Sequence, residues 1–189
     1  MTCNYERLEI RAAHRYSTRH TSWYWGWLAI DMVDRTAVGI VTARLWEVCP
    51  FPEVQTPYAL VGSLYARKHP GLGVHLLVHA RDELAHWKPG SINLYRTGQA
   101  TQKGREACDT AGLPLNPDFQ HLLDTGKLAS LPVYKEELAV HWGRKHLETA
   151  ADWFGVAAVP AKDSELALLS LLPESLKNPS TNDGPQIER

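Results

Sequence analysis

The sequence predicts an α+β fold: a mixed, mostly antiparallel sheet flanked by helices, with a helical extension toward the C-terminal end. Three observations carry this. Residues 5–13 (YERLEIRAA) alternate Leu8, Ile10 and Ala12 with charged neighbours, the period of a half-buried strand. Two apolar runs, 24–33 and 37–46, are split by Asp34-Arg35-Thr36, which reads as a hairpin with a turn slightly longer than the tightest type. An unbroken apolar strand over 58–66 is then followed by a change from strand period to helical period.

The elements follow in order. A polar stretch, 14–22, separates the first strand from the hairpin, and CPFPEVQTP at 49–57 holds three prolines and reads as a loop. The continuous apolar character of 58–66 predicts a central strand covered on both faces. Over 71–87, at about 100° per residue, Val74, Leu76, Leu77, Ala80 and Leu84 fall opposite His75, His79, Asp82 and His86. That polar stripe has metal-ligating side chains, but it lies where any soluble helix puts its solvated face, so no metal is assigned. Pro89-Gly90 ends this helix, 91–95 is a short strand, and 100–111 is a second helix stopped at Gly112. Its small residues Ala100, Gly104, Ala107, Cys108 and Ala111 form one stripe that admits a close neighbour. Residues 114–132 mix short apolar pieces with turns, 135–154 is helical with Gly143 interrupting it, and 164–172 is a short apolar helix. Residues 1–134 are read as a core, 135–172 as a helical extension packed on it, and 173–189 as a disordered tail poor in large apolar residues.

Composition narrows the class. The chain has 189 residues, enough for one good core, and a formal net charge of -1, which supplies no whole-protein field toward nucleic acid or anionic lipid. Cys3, Cys49 and Cys108 are scattered and form no C-x-x-C pair, so neither a zinc site nor a disulfide framework is expected. The first residues carry charge where a signal peptide needs an apolar run, and no apolar stretch approaches a bilayer span. These features predict a cytoplasmic protein with no membrane association.

The chemistry-bearing signal is the turn Lys68-His69-Pro70-Gly71-Leu72-Gly73 between strand and helix. Two glycines at a helix start expose backbone N–H groups at its positive end, an arrangement suited to a pyrophosphate, and Arg67 or Lys68 could add a charge-assisted contact. His69 beside the turn and Tyr95 at the end of the short strand are candidate acid–base groups. The element order, the turn and the later Thr101, Gly104, Cys108, Gly112 and Leu113 together resemble the GNAT-type N-acyltransferase superfamily over roughly residues 5–115. The resemblance implies an acyl-CoA co-substrate, acetyl-CoA or another, bound along Leu64, Tyr65, Ala66, Arg67, Lys68, Gly71, Leu72, Gly73 and Val74. It implies an amine acceptor that attacks a thioester carbonyl held by backbone N–H groups of the fourth strand. It puts Cys108 where many members have the tyrosine that protonates the leaving thiolate, and Ser63 near their acidic strand residue. The pattern differs at its first position, Lys68 for Gln or Arg, and the segment before the hairpin is short for the two helices members carry there.

Two alternatives stay open. Arg7, Arg11, Arg15 and Arg19 recur every four residues just before Trp23, Tyr24, Trp25 and Trp27, a mixture of cations and rings suited to nucleic acid. The same residues also fit an exposed strand whose arginine stems cover aromatic rings. Separately, His14-Arg15-Tyr16-Ser17-Thr18-Arg19-His20, followed by Gly26-Trp27-Leu28 and Val38-Gly39-Ile40-Val41, resembles the compact phage and mobile-element branch that includes Mom-like DNA-modification enzymes. The last alternative is a GNAT-shaped binding protein without catalysis.

Overall fold

The computed structural model describes residues 5–18, 22–46, 58–88 and 90–177. A 3-10 turn, Tyr5–Arg7, leads into β1 (Leu8–Ser17), which pairs antiparallel with β2 (Ser22–Asp31) from Leu8 opposite Asp31 to Ser17 opposite Ser22. The strand therefore runs beyond residue 13 and takes in much of the stretch expected to be polar linker. Its polar residues are tolerated because β1 is an edge strand and its side chains find rings. His14 stands edge-on to Trp87 at 4.7 Å and beside Trp23 at 5.8 Å, and Tyr16 meets Trp23 at 5.4 Å. Arg19, His20 and Cys3, with the whole proline-rich stretch 49–57 and its Cys49, lie outside the described residues.

The hairpin into β3 (Thr36–Trp46) turns earlier than the apolar pattern suggests. Asp31 stops β2 by accepting the Val33 N–H at 3.0 Å, and Asp34 accepts the Thr36 N–H, so Met32 and Val33 become exposed turn residues. β3 pairs with β4 (Tyr58–Ala66), and the register shifts between Thr42 and Ala43 as a bulge. The sheet order is β1-β2-β3-β4-β5, where β5 (Asn93–Tyr95) is parallel to β4 and the others are antiparallel. β6 (Ala157–Ala158) joins β3 in parallel at Thr36 and Ala37, beyond the point where β4 has ended.

β4 is covered on both faces, as its apolar run requires. On one face lies α1 (Leu72–Ala85), with Leu72, Leu76, Leu77, Ala80 and Leu84 buried and Trp27 Nε1 donating to Glu83 at 2.8 Å. Full burial of each such leucine contributes about 1.5–3 kcal/mol. Beside α1 is α2 (Gln102–Thr110), whose start is capped by Thr101 Oγ1 accepting the Gly104 N–H at 3.0 Å. The stretch 114–132 contains a helix, α3 (Pro117–Asp124), capped by Asn116. The opposite face is covered by α4 (Glu136–Trp153), backed by α5 (Asp163–Ser170). Gly143 does not interrupt α4. It brings the helix onto the sheet, since a Cβ there would stand 2.9 Å from the Tyr65 Cβ.

Leu147 and Ala151 of α4 are buried in the same cluster as Leu28, Ile40 and Val41. The segment from residue 135 is thus the second helical layer of one core, and a boundary at 134 cuts through that core. A helical turn, α6 (Glu174–Lys177), follows the buried Leu172, so the first residues of the expected tail are helical, and 178–189 lie outside the described residues. No described helix is long and apolar enough to cross a membrane.

Candidate active site

The hollow in this protein starts with small side chains. Across the α4 face of the sheet, Ala13, Gly26 and Thr42 stand opposite one another in register, and Thr42 in turn faces the bulged pair Gly62 and Ser63. A Cβ on Gly26 would meet nothing within 4 Å. The row leaves a trench under α4, which roofs it with Trp142, His146, Ala150 and Trp153. The cavity measures about 630 Å³, within the range that holds a drug-sized ligand.

A second feature opens the trench sideways. β4 and β5 pair only from Tyr58 opposite Asn93 to Leu60 opposite Tyr95. Beyond that point Arg96 turns to bridge Leu115, and Ala100 bridges Val133, so the chain after β5 leaves β4. The wedge between them is lined by Ser63 and Leu64 on one side and by Thr101, Gly104 and Cys108 on the other. The small stripe of α2 therefore faces the wedge.

Ser63 is held at both ends. Its N–H donates to Thr42 Oγ1 at 2.9 Å, and its hydroxyl lies 2.9 Å from His146 Nδ1. Burial lowers the His146 pKa below its ordinary value, helped by Lys145, and so keeps the imidazole neutral near pH 7. Among the described residues that line the cavity there is no Asp or Glu, whereas Arg15, Arg44 and Arg96 are present. Arg15 and Arg44 flank Tyr24 in register, and the Arg44 guanidinium lies 5.6 Å from the Tyr24 ring.

The sequence candidates separate into two groups. Of the catalytic and cofactor candidates, Ser63, Leu64 and Cys108 line the cavity and the others do not. Cys108 is a free, buried thiol, and burial pushes its pKa up to about 11. A thiol that weak is a poorer acid than an ordinary thiol near 8.5, so protonating a departing thiolate would run uphill. Burial thus weighs against the proton-donor role expected of Cys108, which lines the wall of the wedge. The Tyr95 ring packs against Tyr58 at 5.3 Å, away from the cavity.

The glycine turn is built differently from a cationic phosphate cradle. Lys68 reaches Asp34 and lies 3.2 Å from Asp31, His69 lies 3.3 Å from the same Asp31, and Arg67 pairs with Glu165 at 2.5 Å. Each basic side chain expected at a phosphate is thus already beside a carboxylate. The Lys68 pair holds Asp34 down at about 2. Pro70 has no N–H to offer, and the Tyr5 hydroxyl donates to its carbonyl at 3.1 Å. Gly71 is left-handed, φ 77°, and a Cβ there would meet the Tyr5 hydroxyl at 2.8 Å. Tyr65 faces α4, its hydroxyl donating to Glu165 at 3.0 Å, while Ala66 and Gly73 pack together on the α1 side. Leu72 is fully buried and Val74 packs against the core.

The polar stripe of α1 is likewise engaged: His75 stacks on Tyr5 at 4.3 Å and His79 lies 3.4 Å from Glu83. No group of three or more His, Cys, Asp or Glu among the described residues could hold a metal ion. Of the arginine series, Arg11 pairs with Glu9 at 2.9 Å and lies over Phe154, Arg15 lines the cavity, and Arg7 ends the 3-10 turn.

His146 was not singled out in the sequence, although a signal was present. Trp142, His146, Ala150 and Trp153 share one face of a helix, and a histidine inside such an apolar stripe is a polar group seeking a partner. No protein-family model, no curated protein and no solved structure matches this chain.

Proposed function

We propose that this chain is a GNAT-like acyltransferase that moves an acetyl or other acyl group from acyl-coenzyme A to an amine. The observation that carries the reading is the parting of β4 and β5 after their three paired positions, because the resulting wedge leads directly to the Ser63–His146 pair. A thioester arm fits such a slot: extended, largely apolar, and flanked by strand edges whose backbone groups can hydrogen-bond it. The trench beyond Ser63 then receives the acceptor.

In this account β4 holds the thioester, backbone N–H groups at its open edge stabilise the carbonyl oxygen as charge develops, and His146 takes the proton that the transfer releases. The carrier phosphates lie outside the cavity near the start of α1. They rely on backbone amides there, since Arg67 and Lys68 are committed to Glu165, Asp31 and Asp34. The reading fits the cytoplasm, where a free thiol such as Cys108 stays reduced.

The test is thiol release. With acetyl-CoA and a panel of amines, free coenzyme A should appear in proportion to enzyme and depend on the amine. Release no faster than in buffer, across acyl chain lengths and amine classes, would overturn the reading.

A further inference from the structure

We propose that Ser63 is a covalent nucleophile, activated by His146, that carries the acyl group between the donor thioester and the acceptor. The two side chains come from opposite layers of the fold, β4 and α4, and meet inside the cavity with Oγ and Nδ1 2.9 Å apart. That is the reach a nucleophile and its base require. Ser63 sits at the bulge, and the Thr42 hydroxyl fixes its backbone by accepting its N–H at 2.9 Å. Bulges re-aim side chains, and here the bulge places Ser63 at the junction of wedge and trench. The His146 ring lies 6.3 Å from the Trp142 ring, tilted by 31°, so packing orients it.

For Nδ1 to accept the serine proton, the neutral imidazole must carry its hydrogen on Nε2. Burial supports that neutral form. No described carboxylate lines the cavity, so the unit is a dyad and not a triad.

The chemistry balances without an outside oxidant or reductant. Ser63 Oγ attacks the thioester carbonyl as His146 Nδ1 takes the hydroxyl proton. The Oγ–C bond forms, the C–S bond breaks, and the departing sulfur leaves as a thiol with the proton from His146. The amine then attacks the serine ester, its proton passes through His146 to Ser63 Oγ, and the Oγ–C bond breaks. The donor's identity rests on the acyl-transfer reading, whereas the nucleophilicity of Ser63 does not. The competing account is a structural hydrogen bond that straps α4 to β4.

Two probes on the full chain separate these accounts: a fluorophosphonate, which marks activated serines without coenzyme A, and acetyl-CoA without amine. Intact mass and peptide mapping read both. One phosphonate per chain at Ser63 is expected, none in Ser63→Ala, and labelling slower by on the order of 100-fold in His146→Gln. Acetyl-CoA should leave one acetyl group on Ser63. Phosphonate labelling without acetylation would support the nucleophile and remove acyl-CoA as its donor. If neither probe marks folded wild-type protein, Ser63 is not a nucleophile and the proposal is overturned. Amine-dependent thiol release in that same protein would leave acyl transfer standing by direct attack.

Discussion

Gly26→Phe is expected to leave the protein folded, raise its melting temperature, and lower amine-dependent thiol release by on the order of 100-fold. The Cβ of residue 26 points into open space, between Ala13 and Thr42 in the floor of the trench. A phenylalanine there fills the hollow without displacing a neighbour. It also removes a strand glycine, which costs roughly 0.5–1 kcal/mol in backbone entropy. Filling a cavity commonly adds about 0.5–2 kcal/mol, so a net gain near 1 kcal/mol should raise the midpoint by about 2–4 °C for a chain of this size. Activity falls because the acceptor loses the room it needs beyond Ser63. Unchanged turnover in a stabilised variant would show that the trench has no part in the reaction.

Glu165→Gln is expected to destabilise the protein by roughly 3 kcal/mol, the lower end of the range for removing one partner of a buried ion pair. Glu165 ties the C-terminal segment to the sheet. It pairs with Arg67 at 2.5 Å, accepts the Tyr65 hydroxyl at 3.0 Å and the Lys162 N–H at 3.0 Å, and lies 3.9 Å from Arg144. Its side chain is 11% exposed and that of Arg67 is 12% exposed, so the guanidinium has little water to replace the lost charge. The melting temperature should drop by about 6–12 °C.

The same pair makes an acid-side signature. Burial pushes the Glu165 carboxyl up, but Arg67, the Lys162 amide and the Tyr65 hydroxyl outweigh it and hold the pKa below its ordinary value. A lowered folded-state pKa contributes stability above the unfolded value, near 4.5, that is lost as pH falls through the folded one. The gap between wild type and Glu165→Gln should therefore be widest near neutral pH and close as melts are taken down toward pH 3. A gap that stays constant over that range would mean the charge is not what holds the segment.

Much of the fold was legible because it is written in local periods. The alternation at 8–12, the turn acid Asp34, and the switch to helical period after Gly71 each act over a few residues. What the periods could not show was tertiary. His14 and Tyr16 extend β1 because Trp23 on β2 and Trp87 just beyond α1 receive them, and no local pattern announces that. Gly143 reads as a helix breaker until the Tyr65 ring is seen against it. The site divided in the same way. Ser63 and Cys108 follow from positions along the chain, but the base partner of Ser63 lies 83 residues away on α4. The acids that occupy Arg67 and Lys68 are equally remote: Glu165 lies on α5, and Asp31 and Asp34 lie at the far end of a hairpin.

The central claim, that a thioester arm occupies the wedge between β4 and the chain after β5, is tested most directly by calorimetric titration of acetyl-CoA into wild type and Gly104→Leu. Gly104 faces the wedge from α2, and a Cβ there stands 3.1 Å from Thr101 Oγ1 and 3.7 Å from the Ala100 Cβ. The contact with Thr101 is tight, and exchanging glycine for a helix former offsets it by about 1 kcal/mol. The rest of the leucine side chain then occupies the wedge. Saturable binding at one site per wild-type chain, lost in a Gly104→Leu variant that melts normally, is the predicted result. Equal affinity in the two proteins, or no binding to the wild type, would contradict the account.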